Sequence, residues 1–177
     1  MQVTLVNPPY PPDAHQHPPF IPLGLGYLVA ILETNGYNLN IIDCQALHLT
    51  LADVEKELKE RNPDMVGLTS TTLTYKSAIS IVKVAKDVLP NCLTVIGGSH
   101  VTFWDEEALS ECPQLDIVVR GEGEATLLEL VQKVEKDENY TDIVGTTCRG
   151  GDKAKVNPDR PHIEDLESLP YPAFHLW

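Results

Sequence analysis

Apolar residues in this chain gather in five short runs, and between the runs they recur every three or four positions. Val3 to Val6, Leu39 to Ile42, Met65 to Leu68, Leu93 to Ile96 and Asp116 to Val119 are near-continuous and rich in β-branched residues. That is the pattern of strands covered on both faces. The first run stops at Asn7-Pro8-Pro9, because proline cannot donate to a ladder. The second stops at Asp43, and the third in the hydroxyls Thr69, Ser70, Thr71 and Thr72. The fourth runs out into Gly97, Gly98, Ser99 and His100, the fifth into Arg120, Gly121, Glu122, Gly123 and Glu124. Between them, Leu23, Tyr27, Ile31 and Leu32 have helical spacing and meet a stop at Asn35-Gly36. Thr50 is placed to cap a helix carrying Leu51, Val54 and Leu58, closed by Pro63. Ala78, Val82, Ala85 and Leu89 mark a third helix, Glu106 to Leu109 a short fourth, and Leu127, Leu128, Val131 and Val134 a fifth.

Strands alternating with helices predict an α/β fold: a flavodoxin-like (Rossmann-like), doubly wound, five-stranded parallel sheet in the order 2-1-3-4-5. Residues 1–140 would form that domain. After Tyr140 the character changes. Ile143 to Arg149 and Lys153 to Val156 flank Gly150-Gly151-Asp152, which predicts a small hairpin, and Pro158 to Trp177 reads as a proline-rich connector. The stretch 141–177 is therefore a hairpin and a linker toward something larger.

Composition narrows the partners. The formal net charge is -13 without a basic run, so phosphate backbones are repelled and nucleic acid is not an expected partner. No apolar run reaches the roughly 18 residues of a membrane span, and the first residues lack the basic region of a signal peptide. A cytoplasmic location is the expectation. Cys44, Cys92, Cys112 and Cys148 are scattered without C-x-x-C spacing and read as reduced, structural thiols.

Ligands of open α/β sheets sit at the carboxyl ends of the strands, where the five loops above collect. A dinucleotide site needs G-x-G-x-x-G directly after the first strand, and Asn7-Pro8-Pro9 stands there instead. No G-x-x-x-x-G-K-[ST] is present, and the acids and lysine of a phospho-receiver are missing. Flavin mononucleotide fits poorly, because Glu122 and Glu124 oppose an anion at the last helix and the hydroxyl-rich loop follows the third strand, not the first. What fits is a large, mostly neutral ligand rich in amides, approached closely by Gly97 and Gly98. Cobalamin matches that description: its carboxamides can donate to Glu122 or Glu124, and its long nucleotide tail needs a groove walled by small residues.

The ordered set NPP, PLGLGYL, IID, GLTSTT, IGGSH and RGEGE, followed by PRPHIEDLESLPYPAFHLW, resembles the N-terminal cobalamin-binding domain of cobalamin-dependent radical SAM enzymes, of the methyltransferase and oxidative cyclase types. The resemblance covers essentially the whole chain. It implies a flavodoxin-like sheet with the cofactor across its carboxyl edge. The implied contacts are Asn7, Pro8 and Pro9; Thr69, Ser70, Thr71 and Thr72; Gly97, Gly98, Ser99 and His100; and Gly121, Glu122, Gly123 and Glu124. It also implies a downstream half that binds S-adenosylmethionine and a [4Fe-4S] cluster through C-x-x-x-C-x-x-C, a motif these residues lack. Other cobalamin domains carry D-x-H-x-x-G, whose histidine ligates cobalt. Here Asp13-Ala14-His15 gives the D-x-H but Pro18 replaces the glycine, so His15 is a candidate cobalt ligand with a loop histidine as the plainer alternative. Two other functions stay open: a ligand-free docking or regulatory domain, and a flavin-binding electron carrier.

Overall fold

The computed structural model describes residues 1–11, 14, 20–151 and 153–177. The five expected strands are β1 (Val3–Asn7), β2 (Leu39–Asp43), β3 (Met65–Thr69), β4 (Leu93–Gly97) and β5 (Ile117–Val119). Helices α1 (Leu23–Thr34), α2 (Leu51–Arg61), α3 (Tyr75–Val88), α4 (Asp105–Glu111) and α5 (Glu124–Glu135) separate or follow them. The hairpin forms too, as β6 (Thr146–Gly150) and β7 (Lys153–Val156). The sheet runs β2-β1-β3-β4-β5-β6-β7. Its first five strands are parallel in the expected order, and the hairpin lengthens the same sheet with two antiparallel strands.

Side chains alternate across each strand, which divides the core in two. Val6, Ile42, Val66, Leu68, Ile96 and Val118 pack under α2, α3 and α4. Val3, Leu5, Met65, Val95, Ile117 and Val119 pack under α1 and α5. The α2 start behaves as its sequence reads. Thr50 accepts from the Asp53 amide at 3.3 Å while Asp53 accepts from the Thr50 amide at 2.8 Å, a reciprocal cap. The α1 face differs from its periodicity. Leu23 is half exposed, and Leu25, Gly26, Val29, Ala30 and Leu32 are the buried positions. The cause lies far along the chain, because Pro172 and Ala173 cover Gly26.

The hairpin is fixed by two arginines. Arg149 donates to the carbonyls of Leu109, Cys112 and Leu115 at 2.7, 2.7 and 2.9 Å, satisfying the end of α4 and the loop that follows it. Arg120, nine-tenths buried, donates to the Thr146 carbonyl at 2.9 Å and to Asp159 at 2.8 Å, with Asp105 at 3.3 Å. It also reaches the Thr147 hydroxyl and the Asn157 carbonyl. Arg120 thus pairs with two acids, Asp105 and Asp159. All four cysteines are buried and free. Burial, aided by the neighbouring Asp43 charge, pushes the Cys44 thiol up to about 12, so it stays protonated near neutrality.

Arg120→Met keeps much of the side-chain bulk but takes the cation from Asp105 and Asp159 and the donor from the Asn157 carbonyl. The expected loss is about 3 kcal/mol in urea unfolding, against under about 0.5 kcal/mol for an exposed control such as Lys56→Met.

Candidate functional site

On the α1 and α5 side, the two helices do not close over the carboxyl half of the sheet. A cleft of about 190 Å³ remains, floored by Leu5, Gly67, Thr69, Val95, Gly97 and Val119. Gly24, Leu25 and Leu28 of α1 form one wall, and Glu122, Gly123, Glu124 and Leu127 the other. The register explains the opening. Gly67 pairs with Val95 and Thr69 with Gly97, so both glycines face this side, and the floor lacks two side chains. At Gly67 a β-carbon would meet Leu5 Cδ2 at 2.7 Å, so any side chain there would displace the tip of Leu5, itself a lining residue of the cleft. At Gly97 a β-carbon would meet Val119 only at 3.5 Å, an ordinary contact. Packing tolerates a side chain at position 97, and what it would cost is open space.

Gly98 is a different case. Its φ is +104°, and a β-carbon would lie 2.5 Å from the Ser70 carbonyl oxygen. The β4 loop therefore rests directly on the β3 loop, with the His100 amide donating to that same Ser70 carbonyl at 3.3 Å. Gly98 is required by this backbone approach, and Gly97 is the one that leaves room. The hydroxyl loop divides similarly. Ser70 is fully buried, Thr71 and Thr74 exchange hydrogen bonds ahead of α3 with the Thr71 amide donating at 3.0 Å, and Thr69 alone of the four lines the cleft. Thr72 is exposed and 3.2 Å from His100 Nδ1, while the His100 ring lies against Tyr75 at a centroid distance of 4.4 Å. Ser99 is exposed beside it.

The two glutamates also part company. Glu122 Oε2 accepts from the Ile163 amide at 2.7 Å, which uses one of its oxygens structurally. Glu124 lines the cleft with a buried Oε2 that has no hydrogen-bond partner among the described residues. A buried acceptor without a donor is costly, so this oxygen suits a ligand that brings an N–H or O–H. The acidic mouth at the α5 start disfavours an anion for the same reason it favours a neutral donor. Gly121 has φ +66° and an amide that donates to Thr102 at 3.1 Å, and Gly123 lets Leu28 approach to 3.2 Å of a β-carbon position. Asn7 sits apart from the cleft lining. Its Nδ2 donates to Asp43 at 2.9 Å, and Gln45 Nε2 reaches the Asn7 side chain at 3.2 Å and the Pro8 carbonyl at 2.8 Å. Pro9 is half-buried next to them. His15 lies outside the described residues.

Sequence reading missed Gly67, Gly24, Leu25, Leu28 and Leu127 as site residues. Gly67 carries a signal, a glycine in the middle of an apolar run where a strand is weakened without reason unless something approaches. The leucines carry none, since core and cleft leucines have the same periodicity.

A family profile described as a B12 binding domain matches residues 15–131. The chain is 39% identical over 155 residues to the uncharacterized methyltransferase PH0819 of Pyrococcus horikoshii, covering 88% of this chain and 34% of that protein. It is 34% identical over 152 residues to an anaerobic magnesium-protoporphyrin IX monomethyl ester cyclase of Cereibacter sphaeroides, covering 84% of this chain and 25% of the relative. The cobalamin-dependent S-adenosylmethionine radical enzyme OxsB, solved with aqua-cobalamin and S-adenosylmethionine bound, superposes with a TM-score of 0.83 at 24% identity, over 99% of this chain and 24% of OxsB. That likeness shows the shared fold. The chain spans about a third or less of the length of these proteins. With the profile matched over most of the sheet and its cleft, this chain belongs to the B12-binding domain family.

Proposed function

We propose that this chain holds cobalamin for a larger cobalamin-dependent radical SAM enzyme. The observation that carries the reading is the cleft with two glycines in its floor and an unpartnered buried Glu124 oxygen in its wall. In this reading the nucleotide tail enters between α1 and α5, where Gly97 leaves space. The corrin lies over the loops Asn7 to Pro9, Thr69 to Thr72, Gly97 to His100 and Gly121 to Glu124, and Glu124 accepts from a donor of the cofactor. When bound, the cofactor supplies a cobalt centre able to carry a methyl group or exchange electrons. The work of these residues is to seat it, exclude water from the tail and present its upper face.

Methyl transfer or oxidative cyclisation then belongs to the whole enzyme, with a [4Fe-4S] cluster and S-adenosylmethionine held by a downstream domain of the same polypeptide. The segment 141–177 leads toward that domain, and the setting is cytoplasmic. No helix among the described residues is long and apolar enough to cross a membrane. His15 is the proposed cobalt ligand of the β1 loop. Beyond the cofactor and the downstream domain, no nucleic acid partner is proposed for a chain of this charge.

Equilibrium dialysis with hydroxocobalamin tests the reading, with one cofactor bound per chain as the expected result. A chain that stays colourless would point instead to a docking domain. Gly97→Val should weaken binding about tenfold or more, because the added side chain fills the tail site, while leaving the far-UV spectrum and melting temperature nearly unchanged. Equal affinity for both proteins would contradict that placement. His15→Ala should shift the visible bands of the bound cofactor if the imidazole lies below cobalt; identical spectra remove His15 from that role.

A further inference from the structure

Beyond the hairpin, the chain is tied to two elements that border the cleft and to the end of β2. The Ile163 amide donates to Glu122 Oε2 at 2.7 Å, and His162 Nδ1 lies 3.4 Å from the other oxygen. The Ala173 amide donates to the Gly26 carbonyl of α1 at 3.0 Å, and Pro172 covers Gly26 so closely that a β-carbon there would meet it at 3.1 Å. Trp177 Nε1–H donates to Asp43 Oδ2 at 2.8 Å, while Asp43 Oδ1 accepts from Asn7. Between Ile163 and Pro172 the segment is largely exposed: Tyr171 is 93% exposed, whereas Pro172 and Ala173 are buried.

The attachments fall on the start of α5, the flank of α1 and the end of β2. The first two are the opposite walls of the cleft, and the third holds Asn7 at the head of the β1 loop. We infer that residues 162–177 are a clasp: by tying Glu122 to Gly26 they fix the spacing of the two walls, and so set how long cobalamin stays bound. This rests on the cofactor reading above. Linkage makes the effect reciprocal, so a bound tail also stabilises the docked clasp. Any displacement of the chain beyond Trp177 is thereby felt at Asp43 and Asn7 as well as at the cleft, which makes Gly26, Pro172 and Trp177 positioning residues.

Gly26→Ala separates a clasp from mere structure. Alanine is the better helix former, yet its β-carbon pushes Pro172 away, and Gly26 is not a lining residue of the cleft. In the 177-residue chain loaded with hydroxocobalamin, the release rate should rise about fivefold or more with the association rate little changed. Trp177→Phe, which keeps an aromatic ring but removes the N–H donor and part of the ring system, should move release in the same direction, and it decides the matter if Gly26→Ala folds poorly. Hydroxocobalamin should also slow protease cleavage within 162–177 in the unaltered chain. Unchanged release in both variants, with binding intact, overturns the clasp alone. Failure of the unaltered chain to bind hydroxocobalamin overturns the cofactor reading and the clasp with it.

Discussion

The site depends on a close backbone approach between two strand ends. Gly98, with φ +104°, lets the β4 loop lie on the Ser70 carbonyl, and no residue with a side chain could stand there without moving one of the loops. That contact keeps the ends of β3 and β4 side by side, so that Thr69 and Gly97 face the same space. Its neighbour Gly97 then does the opposite job, leaving volume unused. Adjacent glycines thus serve order and emptiness separately, and the cleft needs both.

The rest of the architecture supplies walls for that floor. A parallel sheet must be covered on both faces, and on one face α2, α3 and α4 cover it completely enough to bury Val66, Leu68, Ile96 and Val118. On the other face α1 and α5 close over Val3, Met65 and Ile117 but part above Gly67 and Gly97. Electrostatics then selects the guest. A chain with net charge -13, and with Glu122 and Glu124 at the mouth, repels phosphate-rich ligands and welcomes a neutral body with many amide donors. The free oxygen of Glu124 is where that preference becomes local.

Much of this was legible in the residues. Four of the five runs end at prolines, glycines or hydroxyls and the second at Asp43, and the strands end within a residue of them, because buried parallel strands are short, apolar and bounded by breakers. The Thr50 cap was likewise readable from local chemistry. What escaped depends on contacts distant in sequence. The buried face of α1 is set partly by Pro172 and Ala173, so periodicity within the helix misjudged Leu23. The hairpin joins the sheet because Arg120 ties β5 to Thr146 and Asn157, a bridge that no local pattern announces. Gly97 and Gly98, and Glu122 and Glu124, look alike as pairs; only their neighbours across the fold tell one member from the other.

The central claim is that the cleft between α1 and α5 receives the cofactor's nucleotide tail, and its most direct measurement is a comparison of two ligands on the unaltered chain. Cobalamin and cobinamide share the corrin, but cobinamide lacks the tail. Titration of the chain with each should show cobalamin binding about tenfold or more tightly, since the tail alone occupies the space left by Gly97. Equal affinities would mean that the corrin loops do all the binding, and that the cleft is empty for some other reason.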